Sequence, residues 1–574
     1  MPANFGGKLA SVIDVTLKEG NVKKFQADGG IGLISSRLTL QGPIKKDTAS
    51  FIISGRRTYI DILVDPLIKS TSQFKGSGYY FYDLNTKINY RLSSKDRLFV
   101  SGYFGKDIFN YNNKKSGFNV QIPWGNSTGS IRWNHLFSNK LFFNLTGIFS
   151  DYQFQFGANQ NNFEFKLFSG IRDWNIKADF NYFPHIRHNI KYGFNYIFHT
   201  FIPNNATAKQ GEVKFDTGNI NKLYANESAL YVTDDFDLTD KLKFNLGIRY
   251  SMFEQVGPFE RYVKDKIGQN TDTIRYGQNE KVALYGGLEP RTAMRLSINS
   301  KTSAKVSFTQ NYQYIHMATL SGVSLPTDVW MPSTSLVKPQ LGRQYAIGLF
   351  RNFFDNTYES SIEVYYKQMK NQVEYKEGAL PENDIKENPD NSLTFGNGKA
   401  YGLELFFKKT YGKFNGWLGY TLSKTIRQFP EINQGVEYYA RYDRRHDISL
   451  VGNYNLADRW VFSAVFVYSS GNAITLPVAR YFIEGRIVDE FGARNSYRMA
   501  PYHRADISIT YKSKTSKKFD SSWNFSVFNI YNRHNPYFIY FDNASDANKG
   551  ELKLVAKQVS LFPILPSVSW NFKF

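Results

Sequence analysis

Apolar and polar residues alternate along much of this chain. In the last segment Val568, Trp570, Phe572 and Phe574 share one face, and Ser567, Ser569, Asn571 and Lys573 share the other. A period of two marks a strand with one apolar and one wet face. Alone, it fits an edge strand of a soluble sandwich, a chance tail, or the closing strand of an outer-membrane barrel.

The same period recurs. Leu84, Thr86, Ile88 and Tyr90 interleave with Asn85, Lys87, Asn89 and Arg91. Ile176, Ala178, Phe180 and Tyr182 interleave with Asn175, Lys177, Asp179 and Asn181. Leu242, Phe244, Leu246, Ile248 and Tyr250 interleave with Lys241, Lys243, Asn245, Gly247 and Arg249. The wet face suits a water-filled lumen. Between Phe149 and Tyr152 the apolar phase switches to Tyr152, Phe154 and Phe156. A bulge, or a strand continuing above the membrane, would produce that switch.

Connections alternate in length. Short ones include 41–47, 91–96, 183–187, 237–240 and 456–459, and long polar, aromatic ones include 106–126, 201–226, 253–280, 312–343, 372–399, 426–445, 470–503 and 533–557. Short periplasmic turns and long outer loops are the rhythm of outer-membrane barrels. Counting back from Phe574 predicts an all-β transmembrane antiparallel barrel of about 22 strands. Its first hairpin is expected near residues 21–40, turning around Gly29 and Gly30.

Composition agrees. Phe, Tyr and Trp make up 17% of 574 residues, far more than one soluble core needs, yet no run of about 18 apolar residues forms a membrane helix. Aromatic surface spread by alternation is how a barrel carries its hydrophobicity. Cys is absent, which fits an envelope protein weakly. Residues 1–8 show no signal-peptide pattern.

Several stretches, ordered along nearly the whole chain, resemble TonB-dependent outer-membrane receptors of the form common in Bacteroidota. Residues Phe5-Gly6-Gly7-Lys8 through Gly20 resemble the end of that family's plug domain. Residues 30–40 and Ser54-Gly55-Arg56-Arg57-Thr58-Tyr59 resemble its first barrel strands. Leu325-Pro326-Thr327-Asp328-Val329-Trp330-Met331-Pro332-Ser333, followed by Lys338-Pro339-Gln340, resembles a mid-barrel outer loop and strand start. Tyr442-Asp443-Arg444-Arg445-His446-Asp447 and residues 529–537 match late segments. The resemblance implies a plug remnant at 1–20, a barrel at 21–574, and import of a scarce solute driven through TonB. The solute could be a siderophore, haem, vitamin, saccharide or peptide. It also implies a terminal signal read by the barrel-assembly machinery, carried by Trp570, Phe572 and Phe574. The departure is at the N-terminus: most of the plug and any TonB-contacting segment are expected to be missing, as in a fragment, split gene product or degraded frame. Asn85, Lys87, Asn175, Lys177, Lys243 and Arg249 are the inward side chains expected to face a plug. A passive porin-like channel or non-transporting remnant is the alternative, and a soluble multi-sandwich adhesin is a third reading.

Other chemistry finds less support. His185 and His188 have metal-pair spacing but no carboxylate or Cys cluster. His446 lies between Asp443 and Asp447 with no identifiable nucleophile. No enzyme activity, metal or cofactor is expected. The net charge of +21 spreads over turns and strand faces, unlike the clustered cations of a nucleic-acid protein. It suits contact with lipopolysaccharide, though a basic lumen could also steer an anionic solute. Loop aromatics Tyr312, Tyr314, Trp330, Tyr438, Tyr439 and Tyr442 are the candidate substrate contacts. Each could instead anchor a loop at the headgroup level.

Overall fold

The structure is a computed structural model. It describes all residues except 1, 69–74, 114–116, 217–221, 266–268, 319–328, 379–387, 484–485, 514–518 and 544–553. Of the loop motif at 325–333, the part Leu325-Pro326-Thr327-Asp328 lies outside the described residues.

Twenty-two strands close one antiparallel barrel. They are β1 (Gln26–Gly32), β2 (Ser35–Lys45), β3 (Ala49–Thr58), β4 (Gly78–Arg91), β5 (Asp96–Asn113), β6 (Phe118–Ser138), β7 (Leu141–Gln160) and β8 (Phe163–Tyr182). Next come β9 (His188–Gln210), β10 (Leu223–Asp237), β11 (Leu242–Val256), β12 (Lys281–Asn299), β13 (Thr302–Gln313), β14 (Gln340–Phe353) and β15 (Tyr358–Tyr375). The rest are β16 (Leu393–Lys409), β17 (Phe414–Gln428), β18 (His446–Ala457), β19 (Trp460–Ser469), β20 (Tyr502–Lys512), β21 (Asp520–Phe528) and β22 (Leu565–Lys573). β22 pairs with β21 on one side and β1 on the other, in register Asp28↔Lys573 to Gly32↔Ser569. That pairing removes both sheet edges.

The period-two pattern sets the faces. Leu230, Ile347, Ile131 and Trp174 are exposed on the outer wall, where a membrane would cover them. Their sequence neighbours point into the lumen.

Two expectations about local structure change, and a third, open between a bulge and a continuing strand, takes the second form. The first hairpin turns at Leu33 and Ile34, and Gly29 and Gly30 lie within β1. A Cβ on Gly29 would lie 2.6 Å from Cζ of Phe572. The glycine therefore makes room for the closing strand rather than for a turn. The expected loops 106–126 and 201–226 are largely strand, because β5 to β9 run 18 to 23 residues. Above the apolar band both faces are wet, so alternation fades while the hydrogen-bond ladder continues. The phase switch in β7 has the same origin. Register with β6 is unbroken across the switch, from Gly129↔Phe149 to Trp124↔Phe154, so no bulge is present there, and Phe154 is buried.

Outer loops carry their own hairpins, at Phe259–Lys264 with Asn270–Tyr276, Ile315–Ala318 with Val329–Pro332, Pro477–Ile483 with Arg486–Phe491, and Pro536–Asn543 with Leu554–Ser560. A buried cluster of Phe201, Leu223, Phe253, Phe259, Tyr314 and Ile315 joins loop to wall.

Candidate functional site: a peptide crossing the lumen

Residues 2–20 form no strand. They run past the inner wall and are held at three places, mostly through their backbone. At the first, Arg291 Nη1 donates to the carbonyls of Pro2 and Phe5, and Arg249 Nη1 lies 3.5 Å from the carbonyl of Ala3. At the second, Leu9 donates its N–H to Gln313 Oε1 (3.2 Å), and Lys367 Nζ donates to the Leu9 carbonyl. At the third, Lys87 Nζ donates to the Leu17 carbonyl (2.9 Å) and Ser50 Oγ to the Gly20 carbonyl (2.7 Å). Residues 11–16, between the second and third, are exposed.

Local sequence explains the fit. A Cβ on Gly6 would sit 2.3 Å from Arg249 Nε, and Gly7 has φ of 71°. The Gly6-Gly7 pair thus lets the backbone turn against a guanidinium. Phe5 lies under Lys177, whose Nζ is 5.5 Å from the ring centroid.

The first clamp sits in a buried belt of charge. Arg291 Nη2 donates to Glu289 Oε2 (2.7 Å), Ser251 Oγ to Glu289 Oε1 (2.6 Å), and Tyr314 OH lies 2.7 Å from Ser251 Oγ. Glu227 on β10 and His199 on β9 continue it, with His199 Nδ1 2.7 Å from Asp173 Oδ1. Buried charges persist only when paired and hydrogen-bonded, and here the partners hold the arginines ready for peptide carbonyls.

The six inward polar residues separate by contact. Lys87, Lys177 and Arg249 touch the crossing peptide. Asn85 lines a lumenal cavity of about 770 Å³ with Lys18 and Arg37. Lys243 lines another of about 910 Å³ with Arg295 and Lys305, and pairs with Asp237 (2.8 Å). Asn175 faces the lumen beside Lys177.

The loop aromatics form two clusters. Tyr314 is buried, stacked on Phe253 with centroids 5.1 Å apart, and Tyr312 packs beside it at 6.2 Å. Trp330 carries Lys8, with Nζ 5.8 Å from its ring. In the second cluster Tyr438 is buried against Phe429. Arg498, Lys424 and Arg445 surround the Tyr439 ring at 4.8, 5.6 and 5.9 Å. Tyr442 is exposed, over Arg427.

His316, on the outer hairpin, is buried between two polar partners: Ser333 Oγ lies 2.9 Å from Nε2 and Gln340 Nε2 donates to Nδ1 (2.8 Å). Burial pushes its imidazole down to about 3. His188 pairs with Asp234 through Nδ1 (2.7 Å). Among the described residues no group of three or more His, Cys, Asp or Glu could hold a metal.

Glu289, Arg291 and Glu227 are not singled out by the sequence reading. Their signal is charge at inward positions, as in Glu289 and Arg291 flanked by Leu288 and Pro290. That pattern looks the same as the solvated lumenal face of any other strand until register places the groups together.

Known proteins agree with this architecture. Residues 62–532 match the family described as TonB dependent receptor-like, beta-barrel. The ferric-pyoverdine M114 receptor PbuA of Pseudomonas sp. (strain M114) is 22% identical over 288 residues, which are 48% of this chain and 31% of that receptor. The siderophore receptor PiuA of Acinetobacter baumannii superposes with a TM-score of 0.65 at 12% identity, covering 97% of this chain and 82% of that one. The ferric yersiniabactin uptake receptor FyuA of Yersinia pestis gives 0.66 at 12%, with 97% and 81% covered. At such identities the likeness concerns the fold. The family match spans most of the chain, and this protein belongs to the TonB-dependent receptor-like β-barrel family of the outer membrane.

Proposed function

We propose that this chain is the barrel of a Bacteroidota-type TonB-dependent importer of a scarce solute, and that residues 1–20 are the end of its plug. The bulk of such a plug lies outside these 574 residues. The observation that carries the reading is the crossing peptide. Barrel side chains hold it at three separated points through main-chain carbonyls, as an anchored tether requires. Outer loops would capture the solute, and TonB, acting through a plug segment, would open the lumen. The named relatives are receptors for iron chelates, so a ferric siderophore is the first solute to test. Tyr442, an exposed aromatic face lying against Arg427, is the proposed solute contact.

A passive porin-like channel is the second reading, favoured by the two polar lumenal cavities of about 770 and 910 Å³. Planar-bilayer conductance and uptake separate the two. The importer reading expects current that falls when a plug polypeptide is added, and TonB-dependent uptake of a ferric siderophore in cells supplying that plug. A large current unaffected by the plug, with no TonB-dependent uptake, supports the open pore.

A further inference from the structure

On β13 to β17 the outer wall carries a straight cross-strand row, Phe308↔Tyr345↔Tyr366↔Tyr401↔Lys424. Phe308 and Tyr345 rings lie 5.0 Å apart. Tyr345, Tyr366 and Tyr401 are exposed on the outer face. Tyrosines in such a band sit at headgroup level. One register step toward the outer loops, on the same face, the row reads Gln310↔Arg343↔Gln368↔Lys399. Lys370 stands one step higher, opposite Leu341.

Four cations thus occupy neighbouring outward positions at the rim. Among the described residues one carboxylate pairs with them: Glu437, 3.2 Å from Lys399 Nζ. Arg343 donates Nε to Gln310 Oε1 (2.7 Å), which lays its guanidinium along the sheet. Lys424 Nζ lies 5.6 Å from the Tyr439 ring. Two other stretches of the outer rim are balanced differently. On β7 and β8 Asp151 neutralises Arg172 (3.1 Å), and on β10 and β11 the outward pair is Asn226 with Glu254. Strands lie about 4.8 Å apart, so Arg343, Lys399 and Lys424 span a surface the size of a phosphorylated sugar headgroup.

We infer that Arg343, Lys370, Lys399 and Lys424 form a docking surface for the phosphates of outer-leaflet lipopolysaccharide. Arginine grips phosphate bidentately and lysine as a point charge. The tyrosine row beneath sets the depth. This inference rests on the barrel's place in the outer membrane and needs no plug, TonB or solute. Its failure would leave the import reading standing, and failed import would leave this site standing.

The test is native mass spectrometry of the detergent-solubilised chain with bis-phosphorylated lipid A and with its dephosphorylated form. Wild type is expected to retain the phosphorylated form selectively. Arg343→Gln/Lys370→Gln/Lys424→Gln should lower its affinity by about tenfold or more. Arg57→Gln/Lys106→Gln, on β3 and β5 across the barrel, should change it little. Equal retention of both lipids by wild type overturns the inference, and this comparison decides the matter even if the triple variant fails to fold. An equal loss in the Arg57/Lys106 variant also overturns it, since the attraction would then be general. Arg343→Lys should keep most of the binding.

Discussion

Nη1 of Arg261 lies 2.8 Å from each carboxylate oxygen of Asp390, and both side chains are buried. Arg261 belongs to the loop between β11 and β12, and Asp390 to the loop between β15 and β16. Thr334, from the loop between β13 and β14, donates Oγ1 to the same carboxylate at 2.6 Å. Three outer loops therefore meet on one anion. Asn388 adds backbone bonds, accepting from Tyr262 N (2.8 Å) and donating to the Glu260 carbonyl (2.9 Å).

Removing one partner strands the other's charge. Asp390→Ala is expected to cost about 3 kcal/mol of local stability, whereas replacing both residues by apolar ones of similar size should cost less. Hydrogen exchange in residues 259–264 and 329–337, compared for the single and double variants, checks this. Equal protection in Asp390→Ala and wild type would remove the junction from the account of loop order.

The outer hairpin with His316 should respond to acid. The folded imidazole is held neutral, down to about 3, while an exposed one titrates near 6.5. Between those values the opened hairpin binds the extra proton. Its closed form therefore loses stability as pH falls below about 6.5, and gains nothing more as pH rises above it. Exchange at residues 315–318 should quicken from pH 7 to pH 5 in wild type, beyond the intrinsic rate change, and do so less in His316→Gln. Identical pH dependence in the two would refute the mechanism.

The clamps on the crossing peptide should release separately. Arg291→Met with Lys367→Met removes the cationic donors to Pro2, Phe5 and Leu9, so the first two anchors keep only Arg249 and Gln313, while Lys87 and Ser50 stay in place. The chain has no cysteine, so spin labels at Ala3→Cys and at Lys18→Cys report cleanly. The first is expected to become mobile in the variant and the second to stay restrained. Equal mobility at both sites would mean that the peptide moves as one unit.

How far these features can be read from sequence depends on their range. Strand faces follow from period two within a single segment, so Val568 to Phe574 and Leu242 to Tyr250 declare themselves. Strand number follows from the rhythm of turns and loops. Gly29 misleads because its role depends on Phe572, more than five hundred residues away. Strand ends above the membrane are hidden because water on both faces erases the alternation. The Arg261–Asp390 junction and the Glu289–Arg291 belt depend on loop packing and register, which no local pattern encodes. Among the loop aromatics, sequence proximity groups Tyr438 with Tyr442, yet packing buries the first and leaves the second exposed.

The closing strand supports the sharpest test. Ala27 and Phe574 exchange both backbone bonds: Ala27 N donates to the Phe574 carbonyl (2.8 Å), and Phe574 N to the Ala27 carbonyl (2.9 Å). Deleting Phe574 therefore removes two seam hydrogen bonds, about 2 kcal/mol in all, together with the terminal ring. Phe574→Ala keeps the bonds and removes only the ring, which stacks on Phe572 at 6.3 Å. If the aromatic end is read by the barrel-assembly machinery, as we propose, the two variants should lose outer-membrane level alike. The deletion alone should unfold at clearly lower temperature once purified. If instead the seam bonds matter most, Phe574→Ala should insert at wild-type level. Cell fractionation beside heat-modifiable gel mobility distinguishes the outcomes, and normal insertion of both variants would rule out a signal role for Phe574.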